Sequence, residues 1–173
     1  MAVIVSQTDN DGELLLSSSN LHLDFGQEFT LPYDCHITSV EYTITTAPAV
    51  TMHDTQVYLK DPDDNIRCAW DTPAVHTVGT HTLDTTTPTL GYVGEVWQLY
   101  FSFESTTTAF TTGFSHGNDA DAVGRIILDY GTGAVRGDAL VFSISGVMAQ
   151  IARRSPHIFV QAAGGAVVLR NAR

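Results

Sequence analysis

Apolar and polar residues alternate along several stretches of this chain. In EVWQLYFSFES (95–105), Trp97, Leu99, Phe101 and Phe103 fall on one side, and Gln98, Tyr100 and Ser102 on the other. Val40, Tyr42 and Ile44 share a side in SVEYTIT, as do Val57 and Leu59 in TQVYLKD. The same holds for Ile126, Leu128 and Tyr130 in RIILDYG, and for Leu140, Phe142 and Ile144 in ALVFSISG. A period of two over such lengths predicts strands with one buried face. No stretch carries a 3.6-residue period.

Turn chemistry separates these runs: DNDG (9–12), DPDDN (61–65), TTTP (85–88), GNDADAVG (117–124), YGTG (130–133) and RGD (136–138). Short strands punctuated in this way predict an all-β fold. The expectation is an antiparallel β-sandwich, jelly-roll-like, with eight to ten strands in two sheets. Asp11-Gly12 is expected to be a hairpin turn, because that pair suits a type I′ turn.

Composition adds a boundary. The chain has 173 residues and a formal charge of −11. All 19 acids lie at or before Asp138, whereas the stretch from Val147 onward holds four arginines and no acid. Residues 1–146 therefore carry four bases against 19 acids, or −15, and residues 147–173 carry +4. The first span is expected to be the sandwich domain, and the second a cationic C-terminal arm with apolar patches in HIFVQ and AAGGAVVLR. That arm serves either as a last strand on its own sandwich or as an inter-subunit contact, with Arg153, Arg154, Phe159 and Arg170 as its contact residues.

A strongly acidic body repels phosphate backbones, so no nucleic-acid partner and no anionic membrane partner are expected. The first residues, MAVIVSQTDNDG, lack a signal-peptide pattern, and no apolar run reaches the length of a membrane span. The expected location is a cytoplasm, or a virus particle assembled in one. Cys35 and Cys68 are expected to be reduced core thiols rather than half of a metal site.

Candidate chemistry is sparse. GFSHG (113–117) matches the G-x-S-x-G pattern of a hydrolase nucleophile elbow. An elbow needs a strand before it and a helix after it, and its acid and histidine partners follow the serine. Here NDADAVG follows, and His157 is the only later histidine, so Ser115 is read as part of a Gly-flanked loop between strands. QTDNDGE lacks the acid and the glutamate of a calcium loop, since Gln7 and Ser18 stand at those places. Asp61, Asp63, Asp64, Asp119 and Asp121 are read as solvated turn acids, the Arg136–Asp138 tripeptide as a turn, and neither a metal nor a cofactor is expected. Trp70 and Tyr92 lie near turns, where flat rings stack on sugars, and are the candidate carbohydrate-binding residues.

Three stretches, 25–45, 79–103 and 129–146, carry a Q-x-F-T-x-P strand, a G-E-x-aromatic strand and a closing G-D-hydrophobic-x-F strand. In this order they resemble jelly-roll β-sandwich domains of bacteriophage virion proteins and of bacterial surface or carbohydrate-associated proteins. The matching positions are Gln27, Phe29, Pro32, Val40, Gly94, Glu95, Trp97, Asp138 and Phe142, which the resemblance marks as fold-determining rather than catalytic. It implies a homo-oligomeric virion subunit, a trimer by preference, set in a fibre, spike, tail tip or head decoration among other virion proteins. Host-surface glycan binding is one expectation. A ligand-free cement or connector protein is the alternative, and a glycan-acting hydrolase ranks third.

Overall fold

The computed structural model describes residues 2–71, 76–117, 124–133, 138–149, 158–163 and 166–171. Its strands are β1 (Ala2–Gln7), β2 (Gly12–Ser17), β3 (His22–Thr30), β4 (Cys35–Thr46), β5 (Met52–Lys60), β6 (Ile66–Asp71), β7 (Gly79–Gly91), β8 (Val96–Ser105), β9 (Thr111–Gly117), β10 (Ile126–Tyr130), β11 (Ala139–Leu140), β12 (Phe142–Met148), β13 (Ile158–Ala163) and β14 (Ala166–Asn171). They form two antiparallel sheets, which make a sandwich, and a separate hairpin.

The first sheet is built around β4. Strand β7 lies along one side of it, while β12 and then β9 lie end to end along the other. Beyond them run β1, paired to β12, and β2, paired to β9. The second sheet has the order β10-β3-β8-β5-β6.

The alternating residues pack between the sheets. Trp97, Leu99, Phe101 and Phe103 are buried, as are Val40, Tyr42, Ile44, Val57 and Leu59. Phe25 stacks on Phe101 at 4.7 Å, and Phe114 and Tyr42 from the first sheet meet Phe101 edge-on at 5.4 and 4.9 Å. Such offset and edge-to-face pairs add to plain area burial.

Both seams between the sheets are closed. On one side the Trp70 indole N–H donates to the Asp84 carbonyl at 2.9 Å, tying β6 to β7. On the other, Ser17 and Thr132 exchange backbone hydrogen bonds at 2.8 and 2.7 Å, tying the end of β2 to the segment after β10. Gly131 precedes Thr132 with φ +132°, a conformation that favours glycine.

Several expectations change. Among the described residues the two sheets hold twelve strands, against the expected eight to ten, and two more form the hairpin. Weak alternation concealed most of the others: β7 reads GTHTLDTTTPTLG, and β3 places the polar Gln27 at a core position. TTTP (85–88) is not a turn. It lies within β7 as a bulge, where the register jumps from Thr89 opposite Ile37 to Asp84 opposite Ser39. There the Thr85 hydroxyl donates to the carbonyls of Thr38 and Ile37, at 3.1 and 3.3 Å, and Pro88 is tolerated as in bulges generally. DNDG is not a hairpin turn either: β1 and β2 pair with different strands, so the loop joins two pieces of one sheet edge. Tyr130 is 40% exposed, because the β10 register slips between Leu128 and Tyr130. DPDDN does turn the β5–β6 hairpin, with Asp64 at φ +63°.

The arm begins later than expected, because Val147 and Met148 are the end of β12, paired to His36 and Cys35 of β4, and it is not one extended segment. Residues 158–163 and 166–171 pair with each other in a two-stranded sheet, with Phe159 opposite Arg170 and Val160 opposite Leu169. Arg153, Arg154 and His157 lie outside the described residues, as do Asp119, Asp121, Arg136 and Gly137.

Candidate functional site

GFSHG is a strand rather than a loop, since residues 111–117 are β9, paired to β2 over 111–116 and to β4 and β11 in part. The two glycines and the polar residues masked its period, yet Phe114 is a fully buried core residue. Ser115 and His116 are neighbours on that strand, so their side chains leave opposite faces of the sheet. His116 Nδ1 lies 3.2 Å from Asp138 Oδ1, with both side chains mostly buried. Ser115 is buried in the sheet, where its carbonyl accepts the Val141 N–H at 2.8 Å. The motif's histidine thus meets Asp138 on one face while its serine leaves the other, which is not nucleophile-elbow geometry.

The two candidate sugar-binding aromatics are placed differently. Trp70 lies on β6, not in a loop. It is half-buried against the core, and its one donor is spent on Asp84. Tyr92 is 47% exposed, in the turn between β7 and β8.

That turn is held rigidly. Gly94 adopts φ +82° and donates its N–H to the Leu31 carbonyl at 2.8 Å, and Leu31 returns an N–H to Glu95 O at 3.0 Å. Glu95 Oε2 accepts both the Tyr92 N–H (2.9 Å) and the Trp97 indole N–H (3.0 Å). Asp34 Oδ1 accepts the Val93 N–H at 2.8 Å, and Asp34 O accepts the Ala149 N–H at 2.9 Å. The sequence pattern G-E-x-W is therefore a clamp in which one carboxylate fixes the turn to the core tryptophan. Cys35 is buried at the start of β4, where burial, and then the charges of Asp34 and Glu95, push its thiol pKa up.

Tyr92, Glu95, Val96 and Leu90 line a cleft of about 460 Å³ together with Asp61, Asp63 and Arg67 from the β5–β6 turn. Asp61 organises that turn. Its Oδ1 accepts the backbone N–H groups of Asp63 and Asn65 at 3.0 and 2.9 Å, and its Oδ2 faces Arg67 at 3.7 Å. Desolvation opposes ionisation of Asp61, but the hydrogen bonds from Asn65 and Asp63, with the Arg67 charge, outweigh it and hold the carboxyl below its usual range.

The cleft continues in both directions. Past Arg67 and Leu90 it meets Ile66 and Pro88, and past Asp61 and Val96 it meets Lys60, Gln98 and Asp129. Lys60 lies 3.5 Å from the centre of the Tyr100 ring and 3.1 Å from Asp64. The Tyr100 hydroxyl donates to Asp129 at 2.8 Å. Sequence reading named Tyr92 but missed its neighbours. The turn acids were visible, but their convergence with the β7–β8 turn depends on strand order. Among the described residues no group of three or more His, Cys, Asp or Glu side chains sits close enough to hold a metal ion.

No protein-family model matches this chain, and neither does any curated protein. Among solved structures it is similar to a chain in the cryo-EM atomic structure of Broad Bean Stain Virus, with 12% identity over 86% of this chain and 96% of that one, at a TM-score of 0.34.

Proposed function

We propose that this protein is a structural subunit of a virus particle, of the bacteriophage type, that assembles with copies of itself into a closed oligomer, a trimer by preference. The observation that carries this reading is the division of the chain into an acidic sandwich of charge −15 and an acid-free stretch of charge +4 that contains a hairpin sheet of its own. An isolated two-stranded hairpin is marginal in water, so this one calls for a surface to lie on. Opposite net charge provides long-range attraction between copies. A catalytic role is set aside in this reading, because Ser115 and His116 stand on opposite faces of one sheet.

The test is the size of the purified full-length protein by sedimentation velocity and native mass spectrometry. A concentration-dependent trimer or other closed oligomer is expected. A monomer up to about 100 µM, far above the Kd of a typical specific complex, would sink the reading.

A second reading gives the particle subunit a host-glycan site at Tyr92. It is favoured by an exposed aromatic ring on the rim of a cleft with carboxylates and a guanidinium at hand. A glycan array probed with the wild type and Tyr92→Ala tests it: selective binding lost in the variant supports a receptor-binding role. No binding at all leaves a cement or connector role within the particle.

A further inference from the structure

The cleft and the two hollows that share its lining residues form one groove-like stretch of surface, from the rim of the sandwich onto the outer face of the second sheet. Its apolar floor includes Ile66, Leu90, Tyr92 and Val96, of which Ile66, Tyr92 and Val96 are 53%, 47% and 44% exposed. The lining residues include six acids, Glu28, Asp61, Asp63, Asp64, Glu95 and Asp129, against two bases, Lys60 and Arg67, a formal −4, of which Glu28 is offset by Arg125 at 3.2 Å just outside the lining. The stretch from Val147 to Arg173 has no acid and four arginines, a formal +4, spread among apolar residues. Groove and arm are therefore complementary in charge and alike in apolar content.

We infer that this groove receives the part of the C-terminal arm beyond Ala149, residues 150–173 with all four of its arginines, of a second copy of the chain. The occupant assigned is a second copy: among the described residues the β13–β14 hairpin pairs only with itself, which leaves it available to a neighbouring chain. This rests on the oligomeric reading above and names the surface that makes the contact. The chain leaves the sandwich at this same end, where Ala149 bonds to Asp34 and Asp34 bonds to the Tyr92 turn. A copy that gives its arm therefore presents its own groove nearby, and head-to-tail contacts of this kind close into a ring where the rotation between successive copies closes. Exposed charges at the rim act mainly through encounter rate and salt dependence, while the buried apolar residues hold the contact.

Charge exchange in the full-length chain tests this. The groove variant is Asp63→Lys with Asp64→Asn. It spares the Asp61 cap, keeps at position 64 a residue that tolerates positive φ, and takes the groove from −4 to −1. The arm variant is Arg153→Glu with Arg154→Glu, which takes the arm from +4 to 0. Each variant alone is expected to associate about tenfold or more weakly than wild type, with unchanged circular dichroism, and wild-type association is expected to weaken as salt rises.

A second pair tests complementarity directly. The groove variant is mixed with an arm variant carrying Arg153→Glu alone, and native mass spectrometry counts mixed against unmixed species. Enrichment of the mixed species supports exchange between copies. Wild-type-like oligomers from both single variants would overturn the groove while leaving the oligomeric reading intact. A monomeric wild type would remove both. Glycan binding by the assembled protein that is lost in Tyr92→Ala would also overturn the inference, because a groove filled by an arm covers Tyr92.

Discussion

The Gln27 side chain, fully buried in β3, accepts the Leu140 backbone N–H at 2.7 Å and so joins the two sheets of the sandwich. Its amide nitrogen donates to the carbonyls of Glu28 at 2.7 Å and Gly124 at 3.2 Å. One polar residue at a core position thus satisfies three backbone groups where β3, β11 and the entry to β10 meet. A buried polar group is tolerable only when bonded in this way. Gln27→Met keeps the volume but orphans the Leu140 N–H, so a loss of about 1–3 kcal/mol is expected. Urea unfolding measures it, and a variant as stable as wild type would show that the bond is dispensable.

Trp70 and Tyr92 separate stability from ligand binding. Trp70 closes the β6–β7 seam through Asp84, so Trp70→Ala is expected to cost about 2–4 kcal/mol through lost packing and one orphaned carbonyl. Tyr92 is exposed, and Tyr92→Ala is expected to change stability by less than about 0.5 kcal/mol. Thermal melts of both variants distinguish these outcomes. Glycan experiments are consequently cleaner with Tyr92, since any loss in Trp70→Ala carries a stability change with it.

The clamp at Glu95 makes a third prediction. Glu95→Ala removes the acceptor shared by the Tyr92 N–H and the Trp97 indole. Trp97 is buried, so its N–H is left without that partner, and a cost of about 1–3 kcal/mol is expected. Intrinsic fluorescence should report a changed environment for Trp97. An unchanged emission spectrum together with unchanged stability would mean that the turn holds without its carboxylate.

Two pH limits follow from named groups. The hydroxyls of Thr45 and Thr46 hold the Glu13 carboxyl below its usual range, and Asp61 is held low by its turn hydrogen bonds. Groups depressed in the folded state contribute stability above their unfolded pKa, and that contribution fades as pH falls from about 4 through the folded values. At the alkaline side burial pushes Tyr42 above the ordinary phenol range, and burial followed by the hydrogen bond to Asp129 does the same for Tyr100. Raised groups contribute stability below about pH 10, and it is lost as pH rises through their folded values. Absorbance titration at 295 nm should show Tyr42 and Tyr100 ionising only with unfolding, whereas normal titration of all six tyrosines would contradict the burial.

The serine-hydrolase reading is open to a direct assay. Incubation with p-nitrophenyl acetate is expected to give no turnover beyond the background of surface histidines, and Ser115→Ala is expected to leave that background unchanged. Turnover that disappears in Ser115→Ala would restore an active site on β9.

Local pattern was legible in the sequence where strands bury one clean face. The alternation in 95–105, 39–45 and 55–61 identified the core set, and acid–base asymmetry marked the sandwich apart from the arm. These features depend on residue order alone, because side-chain period and charge are written locally. Strands that carry threonine or glycine escaped, β7 and β9 among them, and β3, with its buried amide, was visible only through its Q-x-F-T-x-P resemblance, because neighbouring strands hold them in place more than their own hydrophobic period does. The groove escaped for a different reason. Asp61, Tyr92, Glu95 and Arg67 come together only because β5, β6, β7 and β8 end at one rim of the sandwich, and strand order is a choice made by long-range pairing. Sequence by itself determined a two-faced acidic β-protein with a cationic arm. Only the tertiary structure decided which turns meet, that residues 111–117 are a paired strand rather than a loop, and that Gln27 bolts the sheets together, because each depends on contacts between residues far apart in the chain.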